Sequence, residues 1–204
     1  MAAVVLERVC QLIRTDVAVA ANITQLQTQL LAWFAAEGRD LPWRRTRDPY
    51  QILVSEVMLQ QTQVERVKPK YTAFLARFPT AAALAEAPTA EVIRLWQGLG
   101  YNRRAVNLQR AAQAVMRDHG GRFPATPAEL RALPGIGDYT AGAVACFAFE
   151  RDVVFLDTNI RRVVRRLFVG PDAQAQASDA ELLQHAQAAL PEGQGWAWNQ
   201  ALMA

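Results

Sequence analysis

Leu133-Pro134-Gly135-Ile136-Gly137 is the stretch that decides how this chain folds. Before it stands Thr126-Pro127-Ala128-Glu129, where a threonine cap, a proline at the first helical position and a glutamate three residues on all mark a helix start. After it a second helix is predicted over Tyr139–Phe149. Glycine allows φ values closed to other residues and lets backbone approach closely. Backbone N–H groups that open the second helix can face an anion such as a phosphate. The pattern predicts two helices joined by a tight hairpin, with Gly135, Ile136 and Gly137 facing phosphate. Such contacts carry no base-sequence information. By itself a Pro-Gly turn between helices is most often only a turn, so its neighbours decide.

Outward from the hairpin, the chain reads as helices. Leu26, Leu30, Trp33 and Phe34 have helical spacing in a segment that starts near Thr24 and stops at Gly38. Asp48-Pro49-Tyr50-Gln51 reads as a cap, a first-position proline and a capping-box partner. Thr80 and Thr89 are candidate caps of two short helices. Gly98-Leu99-Gly100-Tyr101 makes a turn before a helix over Arg103–His119. Ile160, Val163, Val164, Leu167 and Phe168 define one helical face, and Arg161, Arg162, Arg165 and Arg166 the other. Ser178-Asp179-Ala180-Glu181 starts a further helix. Val153–Leu156 has strand propensity but no evident pairing partner. The fold class is therefore all-α.

Two acids stand out against this background. Glu56 lies in Ile52-Leu53-Val54-Ser55-Glu56-Val57-Met58-Leu59, apolar all round except for Ser55 and Glu56, and such a helix is expected to be buried. Burial favours the protonated form of a carboxyl group. Asp157 follows Val153-Val154-Phe155-Leu156 and opens a helix with Thr158 and Asn159, where an anion is favoured. Two carboxyl groups in different environments suit general acid catalysis together with stabilisation of a cation.

The whole chain sets further bounds. With 204 residues and 51% hydrophobic composition it can bury a substantial core. A net charge of +3 does not by itself single out a nucleic-acid partner, but 20 of the 22 basic residues are arginine, Lys68 and Lys70 being the only lysines. Arginine suits forked contacts to phosphate. Cys10 and Cys146 are far apart and outside any CxxC pattern, which excludes a disulfide framework and an all-cysteine metal cluster within the chain. Residues 1–21 are apolar but broken by Glu7, Arg8, Arg14 and Asp16, so neither a signal peptide nor a membrane span is expected. An intracellular protein with no membrane partner follows. His119 and His185 read as surface residues.

Leu41-Pro42-Trp43-Arg44, Ser55–Thr62, Gly98–Tyr101, Leu133–Gly137 and Leu156-Asp157-Thr158-Asn159, in that order, resemble the catalytic region of MutY-type adenine DNA glycosylases. These belong to the helix-hairpin-helix superfamily that includes endonuclease III. The resemblance spans about Leu26 to Met203 and implies a two-lobed helix-hairpin-helix glycosylase fold. A central lobe would cover 41–151, a second lobe 22–40 plus 152–204, and 1–21 would be an N-terminal extension without a family counterpart. Double-stranded DNA containing a mismatch or oxidised guanine would bind across the cleft between the lobes, and the protein would be a cytoplasmic, nucleoid-associated monomer.

By the same resemblance Glu56 protonates adenine, Asp157 stabilises the sugar cation and Asn159 sits beside Asp157. Arg44, Leu59 and Gln200 would surround the extruded adenine, and Gln61, Leu99 and Tyr101 would lie near the opposing guanine. Tyr139 stands where bifunctional relatives carry a lysine nucleophile, which implies base release without strand cleavage. The family usually continues past Trp198–Met203 into four cysteines that bind a [4Fe–4S] cluster, and then into a domain that helps recognise 8-oxoguanine. Neither is in this sequence, so a C-terminally truncated chain is expected, with no metal bound by the residues present. A thymine or uracil mismatch glycosylase, which shares the Tyr139-type position, and a non-catalytic DNA-binding fragment are the competing readings; Gln60-Gln61-Thr62 favours MutY.

Overall fold

The computed structural model describes residues 18–170 and 177–204, so most of the 1–21 extension, including Cys10, lies outside the described residues. All regular elements among the described residues are helical. None is long and apolar enough to cross a membrane. Val153–Leu156 has no regular secondary structure, so its strand propensity is not realised. The chain divides into two compact units: Asp40–Phe149, and the residues up to Arg39 together with Glu150–Ala204.

In the Asp40–Phe149 unit, a 3₁₀ turn (Pro42–Arg44) leads into α2 (Pro49–Leu59), with α1 (Ala18–Glu37) belonging to the other unit. Then follow α3 (Val64–Arg77), α4 (Ala81–Glu86), α5 (Thr89–Trp96), α6 (Arg103–Asp118), α7 (Pro127–Arg131) and α8 (Asp138–Phe149). Helix α2 is the core: Ile52, Leu53, Val54, Val57 and Met58 are at most 5% exposed. Each such side chain, fully buried, contributes roughly 1.5–3 kcal/mol. Helices α8, α3 and α6 pack around it.

Local chemistry sets the helix ends. Asp48 accepts from the Tyr50 and Gln51 amides, 2.8 and 3.4 Å, with Pro49 at the first position. The expected capping box is not reciprocal, because Gln51 Nε2 donates to the Asp48 carboxylate while the Asp48 amide donates to Thr46 Oγ1. Thr80 caps α4. Thr89 does not cap α5; Pro88 holds that position and the Thr89 hydroxyl donates to Gln109 Oε1, 2.8 Å. Competition from a buried amide redirects it, since Gln109 is 2% exposed and needs partners.

The second unit contains α1, α9 (Thr158–Val164), which runs into a π-helical turn (Arg165–Val169), α10 (Asp179–Ala189) and α11 (Gly195–Leu202). Helix α1 starts six residues before Thr24, in a stretch without a breaker, and stops at Gly38. A Cβ on Gly38 would lie 2.4 Å from the Phe34 carbonyl oxygen, so only glycine fits this exit. Ser178 and Glu181 form a complete capping box on α10. Asp152 accepts from the Gly193 and Gly195 amides, and Asn199 Nδ2 donates to the carbonyls of Val153 and Gly195, pinning the irregular segment at Asp152 and Val153 against α11. His185 is half-buried, contrary to the surface expectation, because its ring stacks on Phe168 at 5.4 Å and 4°.

The hairpin joins α7 to α8 as a tight, closely packed turn. Gly135 has φ +77°, and a Cβ there would meet Asn107 Cβ of α6 at 2.5 Å. Gly137 faces open space. Gly135→Ala is expected to destabilise the protein by about 2–4 kcal/mol, from left-handed strain plus overpacking, and Gly137→Ala by under about 1 kcal/mol. Urea unfolding of both variants checks this; equal midpoints would remove the special demand at Gly135.

Candidate active site

Helix α2 carries Glu56 into the core of its unit, where the residue is 3% exposed. The hairpin sets the first turn of α8 against α2, and Tyr139 in that turn donates its hydroxyl to Glu56 Oε2 at 2.7 Å. One turn satisfies two side chains, since the next residue, Thr140, accepts from Gln60 Nε2 at 3.4 Å. Ser55, the other polar residue of the Ile52–Leu59 stretch, returns its hydroxyl to the Ile52 carbonyl, 2.8 Å, and is thereby silent. The polar group left in this apolar stretch is thus one buried acid, with a phenol on one of its oxygens.

Two loops of the same unit carry Gln61, Leu99 and Tyr101. Gln61 and Tyr101 both have left-handed backbone, φ 55° and 49°, which non-glycine residues rarely adopt. Tyr101 is 69% exposed and Gln61 is exposed, whereas Leu99 is buried in the turn that presents Tyr101. Arg104, in the first turn of α6, ties the loops together. Its guanidinium donates to the carbonyls of Val57 (2.9 Å), Met58 (3.3 Å) and Gln60 at the end of α2. It also donates to Thr62 Oγ1 (3.3 Å) and to the carbonyls of Leu99 (2.8 Å) and Gly100 (3.1 Å). It lies 5.7 Å from the Trp96 and Tyr101 ring centres. Burial pushes this guanidinium below its ordinary pKa, with the Tyr101 phenol opposing. Sequence reasoning missed Arg104, though a signal existed: a cation in the first turn of a helix opposes the helix dipole and needs a compensating partner.

Arg44 and Leu59 are half-buried in this unit. Of the three hairpin residues, Ile136 does not offer its amide outward, because that N–H closes the turn on the Leu133 carbonyl at 3.2 Å and the side chain is 7% exposed. The amide is needed for the turn itself. Gly135 and Gly137 are exposed.

In the other unit, Asp157 caps α9 with Oδ1 on the Ile160 amide, 2.6 Å, and Oδ2 accepts from Asn159 Nδ2 at 3.3 Å. Arg162 donates to Asn159 Oδ1, 3.2 Å, completing a chain of polar contacts. Gln200 is 5% exposed on α11. The arginine face is only partly solvated: Arg161 pairs with Asp179 at 2.7 Å, and Arg165 is half-buried.

Among the described residues no three His, Cys, Asp or Glu side chains gather where they could hold a metal ion. Cys146 is buried in α8. The donors present do not fit a cluster that takes four thiolates, since the sequence has two cysteines.

The arrangement is that of a known superfamily. Residues 54–188 match the family model described as HhH-GPD superfamily base excision DNA repair protein, and the chain belongs to that family. Within it, the chain is 48% identical over 157 residues to an adenine DNA glycosylase of Mycolicibacterium smegmatis, covering 76% of this chain and 54% of that one. It is 34% identical over 175 residues to a thymine/uracil-DNA glycosylase of Methanothermobacter thermautotrophicus, covering 85% and 79%. A solved thermostable thymine-DNA glycosylase superposes with a TM-score of 0.84 at 32% identity over 91% of this chain and 86% of that one. The chain spans about half the length of the first curated adenine glycosylases that it matches.

The segment that carries Arg44 is anchored by Trp43, whose ring meets Tyr71 edge-on at 5.4 Å and 77°. Burial, with Asp48 nearby, pushes Tyr71 up to about 12, and burial raises Tyr50 as well. The Tyr71 hydroxyl is buried with no partner, whereas Tyr50 donates to the Phe78 carbonyl at 2.7 Å. Below about pH 10 folded and unfolded chains both keep these protons; above it the unfolded chain releases them first, so stability falls as pH rises towards 12. Thermal unfolding between pH 8 and 11.5 should show that decline. Tyr71→Phe should make it shallower and raise stability at pH 8 by up to about 1 kcal/mol, because an unsatisfied hydroxyl is removed. A steeper decline in the variant would contradict this.

Proposed function

We propose that the chain is the catalytic part of a monofunctional DNA glycosylase that hydrolyses the N-glycosidic bond of adenine mispaired with 8-oxoguanine or guanine in double-stranded DNA. The Tyr139–Glu56 hydrogen bond carries this reading: a buried carboxyl group held at one oxygen by a phenol is suited to donate a proton to a base. The phenol engages Oε2 as an acceptor, and the carboxyl group in its protonated form carries the transferable proton. Its transfer to the adenine ring lets the base leave with the electron pair of the glycosidic bond. Asp157 stabilises the resulting sugar cation, oriented by its cap contact and by Asn159. Water then adds to the sugar carbon and loses a proton, which leaves an abasic site. Arg44, Leu59 and Gln200 are assigned to the extruded adenine, and Gln61, Leu99 and Tyr101 to the opposing base. Gly135 and Gly137 are assigned to phosphate. A monomer acting at the nucleoid fits these roles, and no step is routed through an iron–sulfur cluster.

A second reading, a thymine or uracil mismatch glycosylase, is favoured by the likeness to enzymes of that name over most of their length. Base release from A:8-oxoguanine, A:G, T:G and U:G duplexes separates the two. Release of adenine alone supports the first, and release of thymine or uracil alone the second. Binding without release from any duplex identifies a non-catalytic DNA-binding fragment.

Glu56→Gln keeps the shape but cannot donate a proton, so base release should fall by at least about a thousandfold, roughly 4 kcal/mol of barrier, with duplex binding retained. Asp157→Asn should also be severely impaired. Either variant within about tenfold of wild type in single-turnover assays would remove that residue from the chemistry.

Tyr139 in place of an amine nucleophile predicts that strands break only when the abasic product is treated with alkali or heat. Borohydride reduces a Schiff base to a stable adduct. Efficient trapping on wild-type protein, lost on replacing Lys68 or Lys70, would overturn the monofunctional assignment.

A further inference from the structure

We propose that Arg104 is a positioning residue that clamps the Gln60–Gln63 and Gly98–Asn102 loops into one rigid element, so that Gln61 and Tyr101 are presented together to the base opposite the excised one. The inference rests on the proposed glycosylase reading for the identity of that base, while the clamp itself is a matter of geometry. The two terminal nitrogens of one guanidinium share their four N–H groups among six acceptors, Nη1 facing three carbonyls at the end of α2 and Nη2 facing Thr62 Oγ1 and two carbonyls in the turn before α6, while Nε is buried without a partner. No backbone hydrogen bond is recorded directly between the two loops, although Thr62 Oγ1 also contacts the Leu99 carbonyl at 3.4 Å.

The residues on either side of the clamp show what it holds. Gln61 and Tyr101 are two of the three non-glycine residues among those described with left-handed backbone, and each is adjacent to a carbonyl that Arg104 binds, those of Gln60 and Gly100. Strained backbone of this kind persists only where its surroundings over-determine it. Both side chains are exposed, and Tyr101 at 69% is the most exposed large hydrophobic residue described. An exposed aromatic ring on fixed backbone suits insertion into a gap between stacked bases, and a mobile one would lose that advantage to ordering entropy. The Tyr101 ring lies near the Arg104 guanidinium, so the clamp also steadies the wedge. A planar fork presents a separate nitrogen to each segment, whereas an ammonium has three donors on one nitrogen and reaches fewer of these acceptors at once. Lysine at 104 should therefore keep the charge and lose the clamp.

The test compares wild type with Arg104→Lys. Hydrogen exchange by mass spectrometry should show amides in 59–63 and 98–103 exchanging at least about tenfold faster in the variant, with α8 unchanged, because local opening is released without global unfolding. Affinity is measured for duplexes with a tetrahydrofuran abasic analogue opposite 8-oxoguanine or opposite guanine. The variant should bind both more weakly and lose most of the wild-type preference, while the pH profile of its saturated single-turnover rate keeps its shape. Unchanged exchange in both loops overturns the clamp. Faster exchange that extends to α8 with the duplex preference intact also overturns it, since Arg104 would then serve stability alone. A wild type with no preference between the two duplexes overturns the link to the opposing base. A wild type that discriminates and responds as expected to Arg104→Lys, yet releases no adenine, sustains the clamp and defeats the adenine glycosylase reading instead.

Discussion

A carboxyl group in a helix that is apolar on every face is costly unless something hydrogen-bonds to it. Helix α2 has that problem at Glu56, and the answer comes from α8, whose first turn places the Tyr139 hydroxyl 2.7 Å from Oε2. For Tyr139 to reach, α8 must start close beside α2 and pack along it. That start is fixed by the hairpin, and the hairpin in turn depends on Gly135, the only residue type that fits against Asn107 with φ +77°. A single phenol–carboxyl contact thus makes demands on α2, α8, the hairpin and α6 at once. Chemistry that calls for a buried acid and a fold that can tolerate one are the same requirement.

The ends of α2 are treated differently from its middle. At its start Asp48 and Pro49 satisfy the exposed amides locally. At its end Thr62 serves the carbonyls of Leu59 and Gln60 locally, and the Arg104 side chain, more than 40 residues away in sequence, supplies donors to those of Val57, Met58 and Gln60. A cation at a helix C-terminus complements the dipole there, which offsets its own unfavourable place in the first turn of α6. The result is a site whose acid lies in a packed middle and whose exposed side chains sit on loops that one side chain holds.

The Glu150–Ala204 part of the second unit follows the same economy with other residues. Asp152 and Asn199 pin a segment without regular secondary structure, and this delivers Asp157 to the start of α9 with one oxygen spent on the helix and the other on Asn159. Being a cap fixes the orientation of the carboxylate, so the structural demand on Asp157 is compatible with the role proposed for it.

Most of what depends on neighbours three or four positions apart was legible in the sequence. The helical class, the caps at Asp48, Thr80, Asp157 and Ser178, the stop at Gly38 and the burial of Glu56 follow from local pattern and from the absence of any exposed face on α2. Simple patterns failed where another group, near or distant in sequence, competed for the same atom or surface. Gln109 took the Thr89 hydroxyl, Leu133 took the Ile136 amide, and Phe168 covered His185. The partner of Glu56 is 83 residues away and the acceptors of Arg104 lie up to 47 residues away. Periodicity holds no information at such separations, because which side chains meet is set by how helices pack. The sequence by itself determined the elements and the two unusual acids; only the tertiary structure decided that a phenol holds one of them and that an arginine joins the loops beside it.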